Sequence, residues 1–140
     1  MKIIKIALLS IMFLPVNVTM FLEQDNMFSL RFSTIRTAFK FEHMEDFSEW
    51  IETDMLIVYR KIGNNADFTL YNENRKRFIV FNERDFIDDD GDHVFRWEAL
   101  CAETNDEVLL RLIIFKENNI VHLYIHEPDL VIVYYVNEIN

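Results

Sequence analysis

The fold is decided by residues 94–136, which read VFRWEALCAETNDEVLLRLIIFKENNIVHLYIHEPDLVIVYYV. Segments rich in aliphatic and aromatic residues alternate here with short turns rich in Asn, Asp and Glu, as expected for β-strands joined by tight connections. Parallel strands need crossovers of about a dozen residues or more, so these strands must pair antiparallel. The strands are predicted at Val94–Cys101, Val108–Phe115, Ile120–Ile125 and Leu130–Val136, separated by Thr104-Asn105-Asp106, Asn118-Asn119 and Glu127-Pro128-Asp129.

The preceding part of the chain repeats this pattern. The parity of the apolar residues changes between Phe32 and Ile35, which predicts a β-bulge. Residues 45–50 are predicted to form a loop or a single helical turn, and residues 82–92 a long acidic loop. Further strands are predicted at Phe28–Phe41, Asp54–Ile62, Asp67–Tyr71 and Arg77–Phe81. The total is about eight strands, and no segment beyond the first 22 residues keeps a helical period for long.

Several predicted strands, such as Met55–Tyr59 and Leu130–Tyr135, are apolar on both faces. Such strands cannot leave one side in water, so the sheet must close on itself or stack on another sheet. The prediction is an all-β antiparallel meander forming a closed or nearly closed barrel, with a sandwich as the alternative. Phe95, Trp97 and Cys101 share one parity and are expected to face inward, together with Leu123 and Ile125.

The first 22 residues contain two lysines, no acidic residue and an apolar run from Ile6 to Val18. This arrangement is typical of a secretory signal, and the run is too short for a spanning helix, which needs roughly 20 residues. The small residues that signal peptidase prefers are missing after the run, so an uncleaved anchor and a folded N-terminal element stay open. Residues 23–140 are predicted to form a single β domain that is secreted or periplasmic, with a virion-associated location as the alternative.

The charge and cysteine content exclude several kinds of partner and linkage. The formal net charge is −10, which argues against nucleic acid and against anionic membranes, since both attract clustered Lys and Arg. No stable membrane insertion is expected. The single cysteine, Cys101, cannot form an intramolecular disulfide and is interpreted as a buried small hydrophobe.

The carboxylates of the acidic segment are the one candidate metal site in the sequence. Asp88, Asp90 and Asp92 could hold calcium, which prefers oxygen ligands. Aligning Gly91 with the glycine of a helix–loop–helix calcium loop puts Phe86 and other non-ligands at the ligand positions. A hairpin turn is therefore the preferred interpretation, with weak calcium binding as the alternative.

The other polar residues predict no catalytic chemistry. His122 and His126 lie four residues apart, which on a strand is roughly 13 Å, too far for both to reach one zinc ion. They are interpreted as a half-exposed pair on a strand face. No nucleophile elbow and no glycine-rich phosphate loop occur. The sequence therefore predicts neither an enzyme nor a cofactor.

Several short segments together carry a resemblance to a known group of proteins. These are Glu45-Asp46-Phe47-Ser48-Glu49-Trp50, Asp54-Met55-Leu56-Ile57-Val58-Tyr59, Phe68-Thr69-Leu70-Tyr71, Phe78-Ile79-Val80, Asp88-Asp89-Asp90-Gly91-Asp92, Trp97, Leu110-Arg111-Leu112, Leu123-Tyr124-Ile125 and Val133-Tyr134-Tyr135-Val136. Between Phe28 and Val136 the chain resembles small β-rich proteins found in Bacteroidetes genomes and in phages of those hosts. The resemblance implies that origin and a shared β fold, and it implies no activity, cofactor or site residue.

These observations predict a non-enzymatic interaction module that binds a protein or glycan partner through an acidic, aromatic-rich surface. The alternatives are a phage structural or accessory protein, a carrier of a small apolar ligand inside the barrel, and an acidic inhibitor or immunity protein. The 13 phenylalanines favour a filled interior over a ligand cavity.

Overall fold

A computed structural model of the chain describes residues 27–139, and every regular element in that range is a β-strand. The all-β prediction is confirmed, whereas the leader at residues 1–22 lies outside the described residues. No helix within residues 27–139 is long and apolar enough to cross a bilayer. The strands are β1 Met27–Phe41, β2 Ile51–Glu52, β3 Leu56–Ile62, β4 Asn65–Tyr71, β5 Lys76–Ile87, β6 His93–Cys101, β7 Glu107–Ile114, β8 Val121–Glu127 and β9 Leu130–Ile139.

The long strands form a closed antiparallel barrel rather than a sandwich. From β3 to β9 each strand pairs with the next, β1 pairs with β3, and β9 pairs back onto β1. These eight strands have no free end in their order, so the predicted meander and its closure are confirmed. The two-residue β2 is an extra strand that pairs with Arg36 and Thr37 of β1.

Two β-bulges set which side chains face the interior. In β1 the register with β9 moves from Thr34 opposite Val136 directly to Arg36 opposite Tyr135, so Ile35 is the extra residue. This is the bulge that the parity change predicted. The second bulge is at Phe81 of β5, and the sequence analysis did not predict it.

The prediction of a long acidic loop over residues 82–92 is wrong. β5 continues to Ile87, and only residues 88–92 form the turn to β6. The Phe81 bulge shifts the alternation so that Glu83 and Asp85 point toward one end of the barrel. There Lys61 Nζ donates to Glu83 at 2.7 Å, and this partner stabilises a carboxylate on a strand.

Large side chains fill the barrel interior. Trp97 lies at its centre, with ring centroids 4.8 Å from Phe68, 5.5 Å from Tyr59 and 6.0 Å from Phe95. The five residues predicted to face inward, Cys101 among them, are all buried. The core consists mainly of aromatic and branched aliphatic residues contributed by all eight barrel strands.

A second, smaller apolar layer lies outside the barrel under residues 42–50, which we call the strap. Ser48 ties the strap to β1, since its N–H donates to the Phe39 carbonyl at 2.8 Å and its Oγ accepts from the Phe39 N–H at 3.0 Å. The strap is a loop without a helical turn. Ala38 and Val133 are opposite each other on the outer face, yet they are only 2% and 4% exposed. The strap, with the Trp50 ring at its end, therefore covers this part of the outer face.

Candidate functional site on the outer sheet face

Three arginines on neighbouring strands stand directly opposite one another on the outer face of the barrel. Arg84 of β5 is opposite Arg96 of β6, and Arg96 is opposite Arg111 of β7. We call these residues the arginine row. The same line of the sheet continues to Tyr124 of β8 and Val133 of β9.

The arginine row concentrates positive charge in an acidic protein. Opposite residues on antiparallel strands have Cβ atoms about 4.5–5.5 Å apart, and like charges there are destabilising. Among the ion pairs formed within residues 27–139, none involves Arg84, Arg96 or Arg111. The arginine row therefore places three adjacent positive charges on this face, with Glu98 beside Arg96, although the chain carries a net charge of −10.

Aromatic rings and an imidazole hold the arginine heads in place. The Arg111 guanidinium lies 5.0 Å from the ring centroid of Tyr124, and its Nε–H donates to Nε2 of His126 at 3.1 Å. Arg84 lies 5.8 Å from the ring centroid of Phe86. Cation–π contacts of this kind orient the cation without neutralising it, so the row stays available to an anionic group.

A cluster of rings borders the arginine row on the side of the acidic turn. His122 is at its centre, with ring centroids 5.0 Å from Phe115, 5.5 Å from Trp50 and 5.7 Å from Tyr135. We call Trp50, Phe115, His122, Tyr124 and Tyr135 the aromatic cluster. Trp50 is exposed and the other four are half-buried, so the cluster presents apolar rings to solvent beside the fixed positive charge.

An open groove lies on the other side of the row. It has a volume of about 340 Å³ and includes Arg96, Glu98, Leu109, His126 and Phe81 in its lining. Its lining also holds Glu107 and Glu127, so Arg96 and His126 share the groove with three carboxylates. A groove of this size could accept a side chain of a partner.

Both histidines of β8 are half-buried on this face, as predicted for a strand-face pair. Burial lowers the pKa of His122, and burial together with the positive charges of Arg111 and Arg96 lowers the pKa of His126. A neutral His126 is also what the hydrogen bond requires, because its unprotonated Nε2 accepts the hydrogen bond from the Arg111 Nε–H. His126 therefore acts as a positioning group for Arg111.

We expect the protein to lose stability in mild acid through these histidines. A lowered folded-state pKa means that stability is fully present above about pH 6.5, the ordinary imidazole pKa, and is lost as the pH falls through the folded-state value. The melting temperature should fall between about pH 7 and about pH 5.5, and His126→Gln should make that fall smaller. Scanning calorimetry with the exposed His43→Gln as control checks this, and equal slopes for parent and His126→Gln would contradict it.

The candidate calcium ligands lie at one end of the barrel, away from the arginine row along the strands. The hairpin turn predicted there is present: Gly91 has a φ of 87°, and its N–H donates to the Asp88 carbonyl at 3.0 Å. Oδ1 of Asp88 accepts from the N–H groups of Asp90 at 3.0 Å and Asp92 at 2.9 Å. The three carboxylates offer oxygens within 4.8 Å of one another. Weak calcium binding stays a prediction. We expect it to be weak because the Asp88 carboxylate already accepts two backbone hydrogen bonds and therefore gains less from a cation.

A polar cluster fills the same end of the barrel interior. Tyr59 OH donates to Glu83 at 3.3 Å, and Lys61 pairs with the other oxygen of that carboxylate. Burial, followed by the negative charge of Glu83, raises the pKa of Tyr59 far above its usual value, so the phenol stays a donor. His93 lies 3.9 Å from Asp85 in the same region. This cluster balances buried charge and closes the end of the core.

Sequence reasoning missed the arginine row because its members are far apart in the chain. Arg96 and Arg111 lie at equal distances from the centre of the β6–β7 turn, so a correct hairpin register would have placed them opposite each other. Arg84 lies opposite Arg96 through the register of the β5–β6 turn, and the Phe81 bulge lets it face outward although Phe78 has the same parity and faces inward. The signal was present, but it depends on registers that composition and alternation do not give.

The chain matches no protein-family model, and no curated protein and no solved structure matches it either.

Proposed function

We propose that the chain is a non-enzymatic interaction module that binds a protein partner through the outer face formed by the arginine row and the aromatic cluster. The observation that carries the proposal is the arginine row itself: three opposed guanidinium groups without an ion pair among the described residues. An anionic partner would convert this repulsion into attraction on binding.

The chemistry of the face favours an acidic segment of a protein over other anions. Arg and Tyr are enriched in the residues that dominate protein–protein binding energy, and Arg binds carboxylates through two parallel hydrogen bonds. Tyr124 and Trp50 add apolar area next to Arg111. A partner with Glu or Asp beside an apolar side chain fits both halves of the face.

Export and origin complete the proposal. The leader-like residues 1–22 support a secreted, periplasmic or virion-associated protein, and the resemblance supports Bacteroidetes or their phages as its source. An intact mass well below 16.9 kDa for the protein isolated from its native host would support cleavage of the leader, and a mass of 16.9 kDa would contradict it.

The binding test uses a fluorescent oligoglutamate peptide containing one leucine, with affinity measured by anisotropy. We expect Arg96→Ala and Arg111→Ala each to weaken binding about tenfold or more, as for residues at the centre of an interface. Arg75→Ala is the matched control, since Arg75 is exposed in the β4–β5 turn, away from the arginine row. Equal weakening by Arg75→Ala would mean that the peptide responds only to the net charge of the protein. Tighter binding of a sulfated oligosaccharide or a single-stranded oligonucleotide would mean that this face binds a class of partner other than protein.

A further inference from the structure

β5 carries a stretch of open strand edge. β5 pairs with β6 from Phe78 to Ile87, but it pairs with β4 only from Lys76 to Val80. Within residues 27–139, the other edge of residues 82–87 therefore faces no strand. Exposed strand edges are templates for pairing with another chain.

The free backbone groups on this edge can be assigned. Asp88 N–H donates to the Asp92 carbonyl at 2.9 Å, so Asp88 points its amide toward β6. Hydrogen bonding alternates along a strand, so Arg84 and Phe86 also direct their N–H and C=O groups toward β6. The N–H and C=O groups of Glu83, Asp85 and Ile87 then point to the open side.

Two of the six residues along this edge, Phe86 and Ile87, are apolar and exposed, and the exposed bulge residue Phe81 precedes them. Phe81 is 58% exposed, Phe86 41% and Ile87 62%. These residues would lose much of that exposure against an added strand. Removing such apolar area from water is the usual source of affinity in strand addition, together with the backbone hydrogen bonds.

We propose that this edge accepts one extended segment of a protein partner as an added β-strand. The segment carries basic side chains toward Asp85 and the acidic turn, and apolar side chains on the face of Phe86. The inference rests on the proposed function, because it states how an interaction module would take up its partner. The edge includes Arg84 of the arginine row, but the backbone groups that it offers are separate from Arg96 and Arg111.

Charge decides which occupant fits the edge. Glu83 is already paired with Lys61 at 2.7 Å, so the charge left beside the edge is that of Asp85 and of the acidic turn Asp88–Asp92. The whole chain also carries a net charge of −10, which disfavours pairing with a second copy. A basic segment is therefore favoured.

The first test uses the full chain and a synthetic peptide of alternating lysine and valine. Amide hydrogen exchange followed by NMR should show Glu83, Asp85 and Ile87 exchanging fast in the free protein and becoming protected when the peptide is added. The same peptide with an N-methyl group on every residue keeps its charge but cannot donate backbone hydrogen bonds to the edge, and we expect it to bind at least about tenfold more weakly. Equal binding of both peptides would overturn the proposal. So would protection of these three amides in the free monomer, which would mean that the chain covers its own edge.

The second test compares Asp85→Pro with Asp85→Ala. Both remove the carboxylate, but only proline removes the N–H on the open side, where an edge strand tolerates it. Asp85→Pro should bind the lysine–valine peptide at least about tenfold more weakly than Asp85→Ala, while both variants bind oligoglutamate equally. Equal binding of the lysine–valine peptide, or a parent dimer that only Asp85→Pro dissociates, would overturn the proposed occupant. Oligoglutamate binding by Arg96→Ala and Arg111→Ala tests the proposed function separately, because these variants leave the backbone edge of β5 unchanged.

Discussion

Replacing Trp97 by alanine should lower the free energy of unfolding by about 3–5 kcal/mol, the usual cost of truncating a large aromatic residue in a core. Trp97 is 1% exposed and packs against Tyr59, Phe68 and Phe95 at the centre of the barrel. Eight closed strands hold these rings in place, so the cavity cannot collapse fully. Urea unfolding followed by circular dichroism measures the loss.

The chain contains its own control for this substitution, since Trp50 is the only other tryptophan. Trp50 is 42% exposed and contacts His122 on the outer face. Trp50→Ala should cost about 1 kcal/mol or less, the scale of one aromatic contact at a surface. Equal losses for the two variants would contradict a filled interior centred on Trp97.

Replacing Val133 by aspartate should cost about 2–7 kcal/mol, because it places a carboxyl group under the strap without a hydrogen-bond partner. Val133 points to the outer face, but it is only 4% exposed. In a barrel whose outer face met water everywhere, this substitution would be nearly neutral. Thermal and urea unfolding give the loss of stability.

Val131→Asp is the matched control for Val133→Asp. Val131 lies two residues away on the same face of β9 and is half-exposed. Its substitution should cost about 1 kcal/mol or less, since the carboxylate reaches water. If the two aspartates cost the same, then the strap does not cover the outer layer.

The barrel could be predicted from the sequence because its strands and turns are defined by neighbouring residues. Alternating apolar residues and Asn- or Asp-rich turns define the strands, and strands with two apolar faces require closure. The Ile35 bulge was visible as a change of parity between Phe32 and Ile35. The Phe81 bulge was not visible, since Ile79, Val80 and Phe81 are consecutive apolar residues whose parity cannot be read.

The missed bulge explains why the acidic loop was predicted too long. Glu83 and Asp85 alternate with Arg84 and Phe86, and this pattern resembles a polar loop unless Lys61 and Tyr59 are known to meet Glu83. Those contacts join strands about twenty residues apart in sequence. Local patterning cannot supply them.

Net charge is an incomplete guide to the charge of any one face of the barrel. The sequence analysis expected binding through an acidic, aromatic-rich surface, whereas the proposed site combines aromatic rings with the arginine row. A formal charge of −10 describes the whole chain and not the distribution over its faces. Strand register decides that distribution, because it brings Arg84, Arg96 and Arg111 together from three separate strands.

We expect the partner to bind to the outer face and not inside the barrel. NMR chemical-shift changes can be mapped across the full chain during titration with the oligoglutamate peptide. The changes should centre on Arg96, Arg111 and Tyr124, while the interior residues Trp97 and Phe95 do not respond. Changes centred on Trp97 and Phe95, or spread evenly over every arginine of the chain, would rule out binding at the outer face.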